Sequence, residues 1–481
     1  MTIKKSLYTA VGIAAIAFTQ SCKSLQPAQL PAVKNMPDHF VANSTGESMA
    51  KINWRQFFTD KNLVTLIDSS LKYNPDLLIA AQRIEMARAQ LSMSKGAFLP
   101  SVNAVASAAG DRYGDYTMNG VGNFDTNLSS NIDDKQKIPA PFTPDFFLGL
   151  RSSWEIDIWG KLKNQKKAAT ARMAASIEGR QLLITLLVAE VSELYYELLA
   201  LDNELQILQK NISLQESALE IVKVQKEGGR ATELAIQQFR AQLLNTQELQ
   251  YTVKQKIVST ENALNTIAGR YPTTILRDTA LMRQQLPANI NAGLPTALLA
   301  QRPDIKMAEF ELQAAKADVA AARAAFYPSL TLTPYAGINA FKAGLLFNGS
   351  SFVYGGLAGL TAPLFNQNKL KAGYAIVNAQ NKEAVYNYQK ILLRSYSEVV
   401  TQLSSIENNR IAYQLKQQEV TELSNAVATS KDLYVTGYAT YLEVITAQKG
   451  VLEAELQLST NKKESFQALI QLYRSLGGGW N

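Results

Sequence analysis

Two periodicities divide the chain. From Phe146 to Ile158 apolar and polar residues alternate: Leu148, Leu150, Trp154, Ile156 and Ile158 fall on one face, and Gly149, Arg151, Ser153, Glu155 and Asp157 on the other. This period of two predicts a strand that is apolar on one side and polar on the other. Further strands are predicted from Val102 to about Gly110, from Ser329 to 338 (Leu330 and Leu332 against Thr331 and Thr333), and from Phe352 to Leu364. Elsewhere the period is helical. No proline occurs between Asp145 and Tyr271, and Leu194, Leu198, Leu201, Leu205, Leu208 and Ile212 form a heptad-like seam. Helices are expected over 160–227 and 231–268, broken at Gly228-Gly229, and over 367–433 and 439–476, broken near Gly437. A helix of the first length spans about 100 Å at ~1.5 Å per residue.

The two halves resemble each other. Asn74 to Val102 aligns without a gap on Arg302 to Leu330, with nine of twenty-nine positions identical, including Pro75/Pro303, Asp76/Asp304, Phe98/Phe326, Pro100/Pro328 and Ser101/Ser329. Each copy reads as a helix with Pro in its first turn and Asp behind it, which then runs into a strand. Lys161-Leu162-Lys163, Glu190 and Gly229 recur as Lys369-Leu370-Lys371, Glu398 and Gly437 at a constant offset of 208. The expected organisation is a leader (1–21), a tether (22–60), a first repeat (61–270), a connector (271–301) and a second repeat (302–481). Each repeat carries helix, strand, loop, strand, long helix, turn and helix. Residues 111–146 and 339–351 read as loops, the first long and polar.

Composition adds a membrane to this picture. Hydrophobic residues make up 47% of the 481 and charged residues 19%, so the chain is not a disordered polymer. Lys4 and Lys5 precede an apolar stretch from Leu7 to Phe18, the pattern of a signal peptide, too short to span a bilayer. Net charge is +7 over the whole chain and +5 without those two lysines, with basic residues scattered, which gives no footprint for nucleic acid. Nothing after residue 22 reads as a transmembrane helix, so a crossing must be a closed β-barrel. Four strands cannot close one, because two edges would leave unpaired N–H and C=O groups in lipid. The chain must therefore oligomerise. Bacterial barrels need at least eight strands, so two copies suffice formally and three give twelve.

The lone cysteine, Cys22 in FTQSCKS, cannot form an internal disulfide. It reads as a lipobox cysteine with Ser21 before it, lipidated to an anchor that does not span. An incidental thiol is the plain alternative, and Thr19 replaces the usual leucine.

At this point a family resemblance is specific. The second copy of the repeat, WEIDIWGKLKNQ (154–165), Pro363-Leu364-Phe365, GYATYLEVITAQKGVLEAELQL (437–458) and LGGGW (476–480) resemble the TolC-like and OprM-like outer-membrane efflux lipoproteins over nearly the whole mature chain. The resemblance implies a homotrimer with a twelve-stranded membrane barrel and a long α-helical periplasmic tunnel. It also implies docking to a periplasmic adaptor (membrane fusion) protein and an inner-membrane resistance-nodulation-division transporter, with passive conduction to the exterior. No cofactor is expected beyond a diacylglycerol and palmitoyl anchor on Cys22. By the same resemblance, the two helical turns near 226–233 and 431–440 form the periplasmic tip, where rings of side chains constrict the pore. Asp432, Tyr434 and Tyr438 are the candidate gate, and Glu227 and Arg230 candidate tethers. Ala439 stands where some relatives carry an acidic residue. A duct for a secretion system, or a structural envelope lipoprotein, is the competing class; a solid coiled coil is the plain reading of the heptads.

The chemistry of enzymes has no foothold. There is no Cys/His set, phosphate loop or nucleophile elbow, and His39 lies in the tether. Glu155 and Asp157 read as polar wall rather than an acid/base pair. Lys161, Lys163, Lys166 and Lys167 read either as a solvated helix face or as contacts to lipid headgroups.

Overall fold

A computed structural model describes residues 29–40, 48–277, 281–284, 291–363 and 365–480. The signal peptide, Cys22 and Leu364 lie outside the described residues. The helices are α1 (Trp54–Phe57), α2 (Lys61–Tyr73), α3 (Pro75–Gly96), α4 (Met118–Leu128), α5 (Lys161–Glu227), α6 (Glu233–Ile267), α7 (Ala297–Gln301), α8 (Pro303–Ala324), α9 (Lys369–Thr436) and α10 (Tyr441–Ser475). The strands are β1 (Ser101–Asp111), β2 (Thr143–Ile156), β3 (Ser329–Ala340) and β4 (Phe352–Thr361). The chain divides into two units, one built on residues 87–173 and 311–385, the other on 32–86, 174–310 and 386–481.

The first unit holds an antiparallel sheet in the order β1-β2-β3-β4. Ala104 pairs with Leu150, Leu150 with Ala336 and Ala336 with Tyr354, and directly paired residues share a face. That register gathers Val102, Ala104, Ala106, Leu148, Leu150, Trp154, Ile156, Leu330, Leu332, Ala336, Ile338, Phe352, Tyr354, Ala358 and Leu360 on one side. The opposite side carries Ser101, Asn103, Ser107, Arg151, Ser153, Glu155, Thr331, Thr333, Asn339 and Thr361, with Val105, Phe147, Val353 and Leu357 as apolar members. The apolar side is exposed in the single chain: Leu150 is 53% and Leu360 67% accessible.

Three expectations are corrected here. The polar loop 111–146 contains helix α4, because Thr117 accepts from the amide of Gly120 at 3.1 Å and caps it. Strand β2 runs from Thr143 to Ile156, so Asp157 and Ile158 are not strand residues. The Asp157 carboxylate instead accepts from the amides of Leu162 (3.0 Å) and Lys163 (2.8 Å), two otherwise orphaned donors at the start of α5. Strand β4 stops at Thr361, so Pro363 and Phe365 lie beyond it.

Tryptophans anchor the periphery of the sheet. Trp154 Nε1 donates to the Phe98 carbonyl (2.9 Å) and Trp159 Nε1 to that of Pro328 (2.7 Å), and Trp159 stacks on Tyr327 at 4.9 Å. Lys161 pairs with Glu155 at 2.5 Å and Lys166 lies over the Phe98 ring.

The second unit is helical. The seam on α5 is buried, with Leu198, Leu201 and Leu208 at most 2% exposed, and Leu201 and Leu208 pack with Val253 of α6 and Leu452 of α10. The core reaches into the expected tether, where Phe40 is buried and stacks on Tyr396 at 5.4 Å. The helix ends are closed alike in both halves. Asn74 Nδ2 donates to the Ile267 carbonyl (2.8 Å) at the end of α6, and Arg302 Nη1 to the Ser475 carbonyl (2.6 Å) at the end of α10. Two residues on, Gly269 (φ +65) and Gly477 (φ +91) take left-handed backbone. A Cβ there would sit 2.3 Å from the Tyr73 carbonyl oxygen or 2.6 Å from that of Gln301. Gly477, the first glycine of LGGGW, thus supplies both a turn and a close approach.

Candidate functional site

Helix α5 ends in a Schellman turn. Gly229 (φ +73) donates its amide to the Lys226 carbonyl (2.9 Å), and Arg230 donates to that of Gln225 (2.8 Å). Thr232 then accepts from the Ala235 amide and starts α6. Helix α9 ends at Gly437 (φ +87), with the Tyr438 amide bonded to the Leu433 carbonyl (2.8 Å). Glu443 accepts from the Thr440 amide at 2.8 Å and starts α10. Its hydrogen bonds to Thr440 hold the Glu443 carboxyl below the usual range.

The two turns share an apolar cluster of Leu219, Val222, Ala235, Ile236, Phe239, Leu243 and Val444. Tyr434 packs against it. The other candidates stand outside. Asp432, Tyr438, Glu227 and Arg230 are exposed, Tyr438 at 85%. The ion pair that ties the first turn is Lys226–Glu233, not one formed by Glu227 or Arg230. That hydrogen bond and the Lys226 charge depress the Glu233 pKa.

A cavity that no sequence pattern announces lies beside Tyr434. It measures about 120 Å³ and opens among α5, α6, α9 and α10, lined in part by Gln215, Val222, Phe239, Tyr434 and Gln448. Gln215 is 1% exposed. Both its amide atoms, the Tyr434 hydroxyl and Gln448 Oε1 are buried without a hydrogen-bond partner in the protein. Burial also raises the Tyr434 pKa. At roughly 15 Å³ per water, the space takes several waters, the natural partners for these atoms. Tyr434→Phe removes an atom with no protein partner and is expected to leave the thermal unfolding midpoint unchanged or raised. Tyr434→Ala, which empties packing space, should cost about 2 kcal/mol. Equal losses for both would contradict this geometry.

Among the described residues no group of three or more His, Cys, Asp and Glu could hold a metal, and no helix is long and apolar enough to cross a membrane.

A sheet with one exposed apolar face, joined in sequence to helices of 67 and 68 residues, defines a protein of the outer-membrane channel class. The model of the outer membrane efflux protein family matches residues 66–270 and 294–478, and the chain belongs to that family. It is 28% identical to the cation efflux system protein CusC of Escherichia coli O6:H1 over 97% of both chains. It is 27% identical to the probable outer membrane lipoprotein SilC of Salmonella typhimurium over 98% of both. A crystal structure of a membrane protein from Pseudomonas aeruginosa superposes with a TM-score of 0.83 at 25% identity, covering 94% of this chain and 97% of that one. The protein is thus an outer-membrane efflux channel, an exit duct.

Proposed function

We propose that three copies of this chain form the exit duct of a tripartite efflux system. The observation that carries this reading is the four-stranded sheet, apolar across one face and mostly polar across the other, with β1 and β4 as open edges. In lipid, each unpaired edge group costs several kcal/mol. Closure by three chains gives twelve strands and removes every edge. Strands of 11 and 12 residues at ~3.4 Å each, tilted about 40°, rise about 30 Å, enough to cover the apolar band of about 25 Å in such barrels. The paired helix ends at Asn74/Ile267 and Arg302/Ser475 support an internally duplicated chain, giving six similar strand-to-helix transitions per trimer.

The long helices continue the wall as a periplasmic tunnel, and their turns at Gly229 and Gly437 form its tip. There the duct meets a periplasmic adaptor protein and an inner-membrane resistance-nodulation-division transporter. Conduction is passive, and the protein catalyses no reaction. Cys22 carries the lipid anchor, and the lysines after β2 and the tryptophans near them face the periplasmic headgroups. Asp432, Tyr434 and Tyr438 narrow the pore at the tip, with Glu227 and Arg230 as tethers between neighbouring hairpins.

The test is electrical. Purified protein in planar bilayers should form trimeric channels, and the double variant Asp432→Ala, Tyr434→Ala should raise single-channel conductance severalfold. A protein that forms no channel would defeat the duct reading; unchanged conductance would defeat the gate assignment alone.

A further inference from the structure

The polar face of the sheet holds an aromatic floor that a water-filled wall does not by itself require. Gly149 of β2 lies directly across from Gly337 of β3, and Gly355 of β4 directly across from Tyr335. A Cβ on Gly149 would sit 2.9 Å from Phe147 Cζ, and one on Gly337 3.1 Å from the same atom. A Cβ on Gly355 would meet the Tyr335 ring at 2.8–2.9 Å. Gly149 and Gly337 therefore leave bare backbone beneath the Phe147 ring, and Gly355 beneath that of Tyr335, and Phe147 is only 5% exposed on an open sheet. The Arg151 guanidinium lies 4.7 Å above the Phe147 ring, and Tyr335 meets that ring edge-on at 6.4 Å.

Arg151 itself is exposed, and every residue around it on this face is neutral. Its direct partners are Asn103 and Tyr335. Along β2 it is flanked by Gly149 and Ser153, and diagonally by Ser101, Val105, Thr333 and Gly337. The nearest carboxylates on the same strand are engaged elsewhere: Glu155 with Lys161 at 2.5 Å, and Asp145 with Asn339 Nδ2 at 2.7 Å. A concavity of about 520 Å³ opens over the site, lined by Phe147, Arg151, Thr333, Tyr335, Asn339 and Val353. A planar cation stacked on a ring keeps its outward N–H donors free and loses little entropy in using them. Such a fork suits a carboxylate or another oxyanion.

We propose that Arg151, held on Phe147, is an anion-recognition site in the wall of the duct, taking small anions and carboxylate- or sulfonate-bearing solutes. The site rests on the barrel reading, which sets three copies at one height on the inner surface. A ring of fixed cations there raises the local anion concentration and repels cations.

The experiment measures reversal potential across a KCl gradient at low ionic strength, in planar bilayers holding the intact trimer. The native channel should favour chloride over potassium. Arg151→Lys should keep most of that preference, Arg151→Gln should lower the chloride-to-potassium permeability ratio by about twofold, and Arg151→Glu should lower it further. The differences should fade near 1 M salt, where the Debye length falls to about 3 Å. Adding sodium benzoate to the native channel should lower its current more than that of Arg151→Gln. Channels that form normally but show the same ratio in all four proteins would overturn the site and leave the duct reading intact. Failure of the native protein to conduct would overturn the duct reading, and the site with it.

Discussion

Arg302→Ala is expected to cost about 3–5 kcal/mol and to lower the thermal unfolding midpoint by about 5 °C or more. Arg302 is 4% exposed and bonds three groups at once: Asp304 at 2.6 Å, Glu398 at 3.0 Å and the Ser475 carbonyl at 2.6 Å. Burial works against its charge, but hydrogen bonds and charge from Asp304 and Glu398 outweigh it and hold the guanidinium above its ordinary pKa. Its removal strands those carboxylates in a protein interior. Arg394 and Arg474 still reach Glu398, at 2.9 and 3.6 Å, so the loss should fall toward the lower end of the range. Asn74 does the matching work at Ile267 with one neutral bond and caps α3 by accepting from the Leu77 amide at 3.1 Å, so Asn74→Ala should cost about 2 kcal/mol. Thermal melts of the three proteins in detergent decide the matter. Equal stability of Arg302→Ala and the native chain would refute the network.

The second large effect belongs to the membrane face. Leu150→Arg puts a charge in the middle of the apolar side, among Ala104 and Ala336, at about 2–4 kcal/mol per chain. Three chains multiply the penalty, so trimer in the outer-membrane fraction should nearly vanish. Ser153→Arg, three residues on but on the polar side, should assemble normally. Comparable trimer yields from both variants would mean that the two faces are not lipid and water.

The strands were legible because burial on one side writes period two directly into the residues, as Leu148, Leu150, Trp154 and Ile156 do. The seam on α5 was legible for the same reason at period 3.5. Asp157 misled because it continues the alternation by parity, while its carboxylate does the work of a helix cap. Helix α4 was hidden by Gly120, Gly122 and Asn123, poor helix formers that its cap and contacts override. At the start of α10, Thr440 and Glu443 carry a capping-box spacing that is legible in the residues themselves. Lys226–Glu233, Gln215 and the glycine floor beneath Phe147 depend on which residues meet across turns and strands. One-dimensional patterns do not carry that information. Phe147 even runs against the pattern, an apolar residue on the polar side whose reason lies in two glycines, one of them on another strand.

In the proposed trimer this sheet separates lipid from water. The most direct measurement places an environment-sensitive fluorophore, one at a time, on cysteines introduced from 148 to 156 of β2. The reconstituted trimer is then quenched with brominated lipid. Labels at 148, 150, 154 and 156 should be quenched by the lipid, and labels at 151, 153 and 155 should respond instead to a water-soluble quencher; Gly149, where a Cβ would meet the Ala336 carbonyl oxygen at 2.5 Å, is left unlabelled. Uniform quenching along the strand, or alternation of the opposite phase, would contradict that separation.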